Sequence, residues 1–191
     1  MTRPLRPALA LALLLAVAAG CDSDGSLLGE FEGRVEVGGL ARPVEGEAVY
    51  TVVETDAGPE FVLGLFVGDL YESDFDAYDY VLFRQPGRLP GVGGYTIDDD
   101  PDRAVAATIA RVEDADDPLE STGEVLRGTD GTLAVTAVDA YGFVAGTFQF
   151  QAVGLRVEAP RRQVTGAASG TFEARYETPA ALRRLGVDLG V

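Results

Sequence analysis

The chain has 191 residues, with 31 acidic side chains against 15 basic ones, a formal net charge of −16, no His and no Trp. Every basic residue is Arg, and the single Cys is Cys21. This composition excludes a Ser-His-acid triad, thiolate–imidazole zinc sites and a disulfide framework. The acid excess opposes nucleic-acid binding, which needs basic patches to replace phosphate counterions.

Residues 1–20 read as a processing signal. Arg3 and Arg6 make a positive start, and Pro7 to Ala19 is an apolar stretch rich in Leu and Ala. It is too short to cross a ~30 Å hydrocarbon layer as a permanent helix, but it suits a secretory apolar region. The stretch ends in Ala18-Ala19-Gly20-Cys21, which resembles the lipobox of bacterial lipoproteins. That resemblance implies cleavage behind Gly20 and lipidation of Cys21. The chain would then be held by lipid in the cell envelope, outside the cytoplasm, at either the inner or the outer membrane. Asp22, next in the chain, resembles an inner-membrane retention signal of some bacteria. Residues 21–29 form the lipidated end and a polar tether, residues 30–178 one domain, and residues 179–191 a C-terminal tail. Each acyl methylene buried in a bilayer contributes ~0.8 kcal/mol to the anchor. The acidity of the rest opposes docking to bare anionic lipid and fits a halophilic protein, whose self-repulsion concentrated salt screens.

Beyond the leader the chain alternates with period two, the mark of strands with one buried face. Phe31, Val35 and Val37 share one side of the first strand, with Glu32, Arg34 and Glu36 on the other. Residues 47–54 give a second strand carrying Tyr50 and Val52 on one side. The Gly58-Pro59 turn follows, then Phe61 to Val67, which is apolar on both faces and therefore belongs in a central position with cover on each side. Tyr78 to Phe83 and Gly94 to Ile97 are short strands separated by Pro86-Gly87 and Pro90-Gly91. Ala104 to Val112 reads as strand through its alternation of Val105, Ala107 and Ile109. Residues 123–127 and 132–138 flank Gly128-Thr129-Asp130-Gly131, a candidate tight hairpin. Residues 142–152 and 169–176 close the series, and Pro179 to Gly186 has the composition of one or two helical turns. Roughly nine to eleven strands at this spacing belong to an all-β sandwich or barrel. An antiparallel two-sheet sandwich is the first expectation, and a closed lipocalin-like barrel holding a small apolar ligand is the alternative.

Gly146-Thr147-Phe148 recurs as Gly170-Thr171-Phe172, each copy opening an alternating strand. Together with the Thr-Asp-Gly-Thr segment before it and Ser169 to Ala174 after it, this pattern is similar to a family of uncharacterised β-rich lipoproteins from Bacteroidota and neighbouring phyla. The resemblance covers about residues 30–176. It implies a lipid-anchored all-β envelope protein of unknown activity and supplies no catalytic residues.

Carboxylates concentrate between the strands: Asp69, Glu72, Asp74, Asp76 and Asp79; Asp98, Asp99, Asp100 and Asp102; Glu113, Asp114, Asp116 and Asp117. Calcium takes six to eight oxygen ligands, which makes Asp74, Asp76 and Asp79 the calcium candidate. Their spacing lacks the long loop, central Gly and terminal Glu of an EF-hand. Tyr71, Phe75, Tyr78 and Tyr80 interleave with these acids and could stack on a glycan or a peptide. The plain structural reading is that Tyr78, Tyr80 and Phe83 belong to an edge strand and pack inward. Enzymatic chemistry is open only through carboxylates, as in a glycan hydrolase, because no His or Lys can act as base. The functional expectation is a ligand- or partner-binding envelope protein, with the membrane reached through the lipid and a glycan, peptide or envelope protein as partner. The alternative is a structural or assembly role without a small-molecule ligand.

Overall fold

A computed structural model describes residues 29–68, 78–98, 105–112, 125–139, 142–156 and 162–184. The alternating segments become β1 (Gly29–Val37), β2 (Leu40–Thr55), β3 (Gly58–Val67), β4 (Tyr78–Pro86), β5 (Gly93–Ile97), β6 (Ala106–Val112), β7 (Val125–Val138), β8 (Phe143–Arg156) and β9 (Arg162–Tyr176). A short helix, α1 (Pro179–Arg184), follows. The all-β expectation holds, and the architecture is the closed barrel, not the two-sheet sandwich.

Eight strands close in the order β7-β6-β4-β3-β2-β1-β9-β8, and β8 returns to pair with β7 along its length. The stagger is visible in the register. From Glu30 one row runs through Glu47, Phe66, Tyr80, Ala110 and Val125 to Leu155 on β8. The other way round, Glu30 leads through Glu173 to Ala145 on the same strand. The row fails to meet itself because the strands tilt, by ~35–45° in closed barrels of this size.

Two local devices complete the wall. The ninth strand, β5, takes over the edge of β7 where β6 leaves it: β6 pairs Arg127 to Val125, whereas β5 pairs Val135 to Gly131. Above the start of β1, β2 and β9 meet directly in a short parallel pairing of Val49 and Tyr50 with Arg175 and Tyr176. The candidate hairpin at residues 128–131 does not form. β7 runs straight through it, with a register shift between Gly128 and Asp130 where the neighbour changes from β6 to β5. A Cβ on Gly128 would lie 2.9 Å from Ile97 Cγ2 and 3.0 Å from Ala107 Cβ, so this glycine serves a close approach and not a turn. The turn expected at Gly58-Pro59 falls just before it, at Asp56 and Ala57, where the Thr55 hydroxyl donates to the Gly58 carbonyl at 2.8 Å.

The repeated Gly-Thr-Phe strings lie opposite each other on β8 and β9. Thr147 faces Thr171, Gly146 faces Phe172, and Phe148 faces Gly170. A Cβ on Gly146 would sit 2.8 Å from Phe172 Cζ, and one on Gly170 would sit 3.0 Å from Phe148 Cε1. Each glycine therefore makes room for the ring of the other copy, and the echo is a packing device in the barrel wall.

Phe61 to Val67 is apolar on both faces because both faces are covered. Phe61, Leu63 and Leu65 point into the barrel, while Val62 and Phe66 join Val49, Val53 and Leu82 in a second buried cluster on its outside. Helix α1 contributes Leu182 to that outer cluster.

Candidate functional site

Three places could carry function: the lumen, its rim, and the charged outer wall. Side chains fill the lumen. Phe83 of β4 reaches across to Phe148 and Phe150 of β8, with ring centroids 5.5 and 5.7 Å apart in edge-to-face arrangement. Leu63, Leu65, Ile97, Leu126 and Leu133 are buried around them. Layers of this kind make a packed core in small barrels, in contrast to the hollow calyx of ligand carriers.

Polar groups gather where β2, β9 and the β7–β8 turn meet. Tyr50 points inward at 5% exposure, its ring 5.6 Å from Phe61 and 5.6 Å from Tyr176. The backbone around it is tied by Glu177 N–H donating to the Tyr50 carbonyl at 2.8 Å and Tyr176 N–H donating to Gly142 at 3.3 Å. In the turn, Phe143 N–H donates to Asp139 Oδ1 at 2.9 Å. Nearby on β4, in register with Phe61, Gln85 keeps Oε1 buried without a hydrogen-bond partner among the described residues.

Burial, with Tyr176 and Asp139 adding to it, raises the Tyr50 phenol above its ordinary value of 10.0, so Tyr50 stays a neutral donor through the physiological range. The folded state therefore holds this proton more tightly than the unfolded state. Its contribution to stability is full below pH ~10 and is lost as pH rises through the folded value. Replacing Tyr50 with Phe is expected to flatten the alkaline arm of the stability–pH curve. Absorbance titration at 295 nm should show the loss of one tyrosine that ionises above the ordinary value of 10.0.

On the outer wall the register sets like charges side by side. Glu30 stands between Glu47 and Glu173, and Glu32 is opposite Glu45. Two shallow depressions of about 620 and 510 Å³ lie on this face, bordered by Glu30, Glu32, Arg34, Glu45, Thr171 and Glu173. The glutamates are spread over three strands, and among the described residues no group of three or more carboxylates converges to hold a metal ion. Like charges directly opposite each other destabilise a sheet. Glu30→Thr is therefore expected to raise the urea midpoint at low ionic strength. The gain should fade in ~1 M salt, where the Debye length is ~3 Å.

Of the residues singled out from the sequence, Cys21, Tyr71, Phe75, Asp74 and Asp76 lie outside the described residues. Tyr78 and Asp79 open β4, opposite Val112 and Arg111. Tyr80 is on the outer face, half-buried, with its ring 6.1 Å from that of Phe66. It packs outward, whereas Phe83 packs inward, and β4 lies between β3 and β6 and is not an edge strand. The acidic segments begin and end at different places. The ends of β3, β4, β6 and β7 that bracket residues 69–77 and 113–124 are neighbours through Phe66–Tyr80, Tyr78–Val112 and Ala110–Val125. Residues 99–104 instead leave from Ile97, beside Gly131 farther along β7.

The Tyr50 rim and the glutamate rows escaped sequence reasoning. Each strand shows its own inward and outward sides, but nothing local says which outward glutamates become neighbours. No protein-family model, no curated protein and no solved structure matches this chain.

Proposed function

We propose that the protein is a lipid-anchored component of a bacterial cell envelope, and that its barrel is a packed structural or assembly module that holds no small molecule in its lumen. The observation that carries the second half is the contact of Phe83 with Phe148 and Phe150 across the barrel, which occupies the space a ligand would need. The anchoring half rests on the apolar leader that ends at the lone cysteine, Cys21. A barrel with a filled interior, borne on a short polar tether, can present its outer wall to neighbours while the lipid holds it in place.

Two measurements test the reading. Mass spectrometry of the protein extracted from membranes should find diacylglycerol on Cys21 and no residue upstream of it, and Cys21→Ser should release the protein from the membrane fraction. An unmodified thiol on a membrane-bound chain would remove the anchor. Native mass spectrometry should show the extracted barrel without a bound small molecule. A stoichiometric apolar adduct would remove the structural assignment and restore a ligand carrier.

A further inference from the structure

The outer cluster on β2, β3 and β4 is unusual for a barrel wall because it is apolar, buried and only partly satisfied. Val49, Thr51 and Val53 alternate outward on β2, beside Val62 and Phe66 of β3 and Leu82 of β4. Thr51 is fully buried, and its hydroxyl has no hydrogen-bond partner among the described residues. Leu182 of α1 sits in this cluster at 2% exposure, while Ala180 of the same helix is exposed.

The helix has six residues, far below the ~12–15 at which an isolated helix becomes marginally stable in water, so it persists through packing on the barrel, of which Leu182 is the described contact. The chain before it is firmly held: Glu177 N–H donates to the Tyr50 carbonyl, and β9 is paired up to Tyr176. The first helical hydrogen bond, from Leu182 N–H to the Thr178 carbonyl at 3.2 Å, comes immediately after.

We propose that α1 is a displaceable strap, hinged at Glu177 and Thr178, which lifts from the outside of the closed barrel and uncovers the apolar face of β2, β3 and β4. Closure of the barrel does not depend on it, because every strand of the ring is paired on both sides without α1. Among the described side chains of α1, Leu182 is the one that enters the cluster and acts as its latch. On the same outward side of β2 as Val49 and Val53, the Thr51 hydroxyl is buried without a partner among the described residues, which lowers the gain from keeping this face covered.

Hydrogen exchange on the unaltered chain reads the opening directly. Amides of residues 182–184 should exchange at least ~100-fold faster than those of β8 and β9, by a local event that leaves the barrel protected. Leu182→Glu, which places a charge in the latch, should increase binding of the apolar dye ANS several-fold while the thermal transition of the barrel survives. Exchange of α1 only at the slow rate of β9 would overturn the proposal. So would loss of the whole barrel transition in Leu182→Glu, or unchanged dye binding in that variant.

Discussion

Phe83→Ala should lower the stability of the barrel by about 3–5 kcal/mol, the cost of removing a buried aromatic ring and leaving its cavity. Phe83 is fully buried, and its ring is the bridge between β4 and the two phenylalanines of β8, strands that are not neighbours in the wall. Little can collapse into the space, since the surrounding Leu63, Leu65 and Leu133 are on paired strands whose spacing is held by the backbone ladder. A fall in the urea midpoint with unchanged slope would report this loss. The same variant should take up benzene or xenon, because a void lined by apolar side chains stays dry and binds small apolar molecules. A loss below about 1 kcal/mol would mean that the lumen is already loosely filled, and the packed-module reading would fall with it.

The second large effect is expected at the paired glycines. Gly146→Ala and Gly170→Ala each add one methyl carbon, which elsewhere in a strand would be harmless or helpful. Here the added carbon would run into the Ala134 carbonyl oxygen in one case and that of Glu32 in the other, as well as the facing phenylalanine. Both the ring and a neighbouring strand must shift, so each change should cost about 1–3 kcal/mol, with the upper part of that range favoured by the backbone contact. Trimming the facing ring in the same molecule, Phe172→Leu with Gly146→Ala, should return part of the loss. A double-mutant cycle should then show coupling of ~0.5–3 kcal/mol, as for side chains in direct contact. Additive losses would mean that the glycines answer to the backbone alone and that the echo has no role in seating the rings.

Much of the barrel wall is legible from local pattern. The inward sets Phe31 and Val35, Phe148 and Phe150, and Phe172 and Ala174 follow from alternation, and the structure buries them. The double-faced segment Phe61 to Val67 announces cover on both sides, and the second cover is the outer cluster that Leu182 joins. The Asp130-Gly131 pair shows where local reading fails. Its residue types suit a hairpin, yet β7 passes through it extended, because β8 pairs along both halves and β5 and β6 together supply the other edge. Turn propensity amounts to a fraction of a hydrogen-bonded ladder, and the ladder wins.

What the sequence determined alone is the material of the fold: strands with one apolar side, their approximate places, and an acidic chain without the residues for histidine-based chemistry or a disulfide framework. Only the tertiary structure decided that the sheet closes into a barrel instead of dividing into two layers, that the two Gly-Thr-Phe copies face each other, and that Glu47, Glu30 and Glu173 stand in one row. The reason is range. A period of two is a property of consecutive residues, whereas closure, register and cross-strand neighbours depend on which distant edges find each other, and the same alternation serves either outcome.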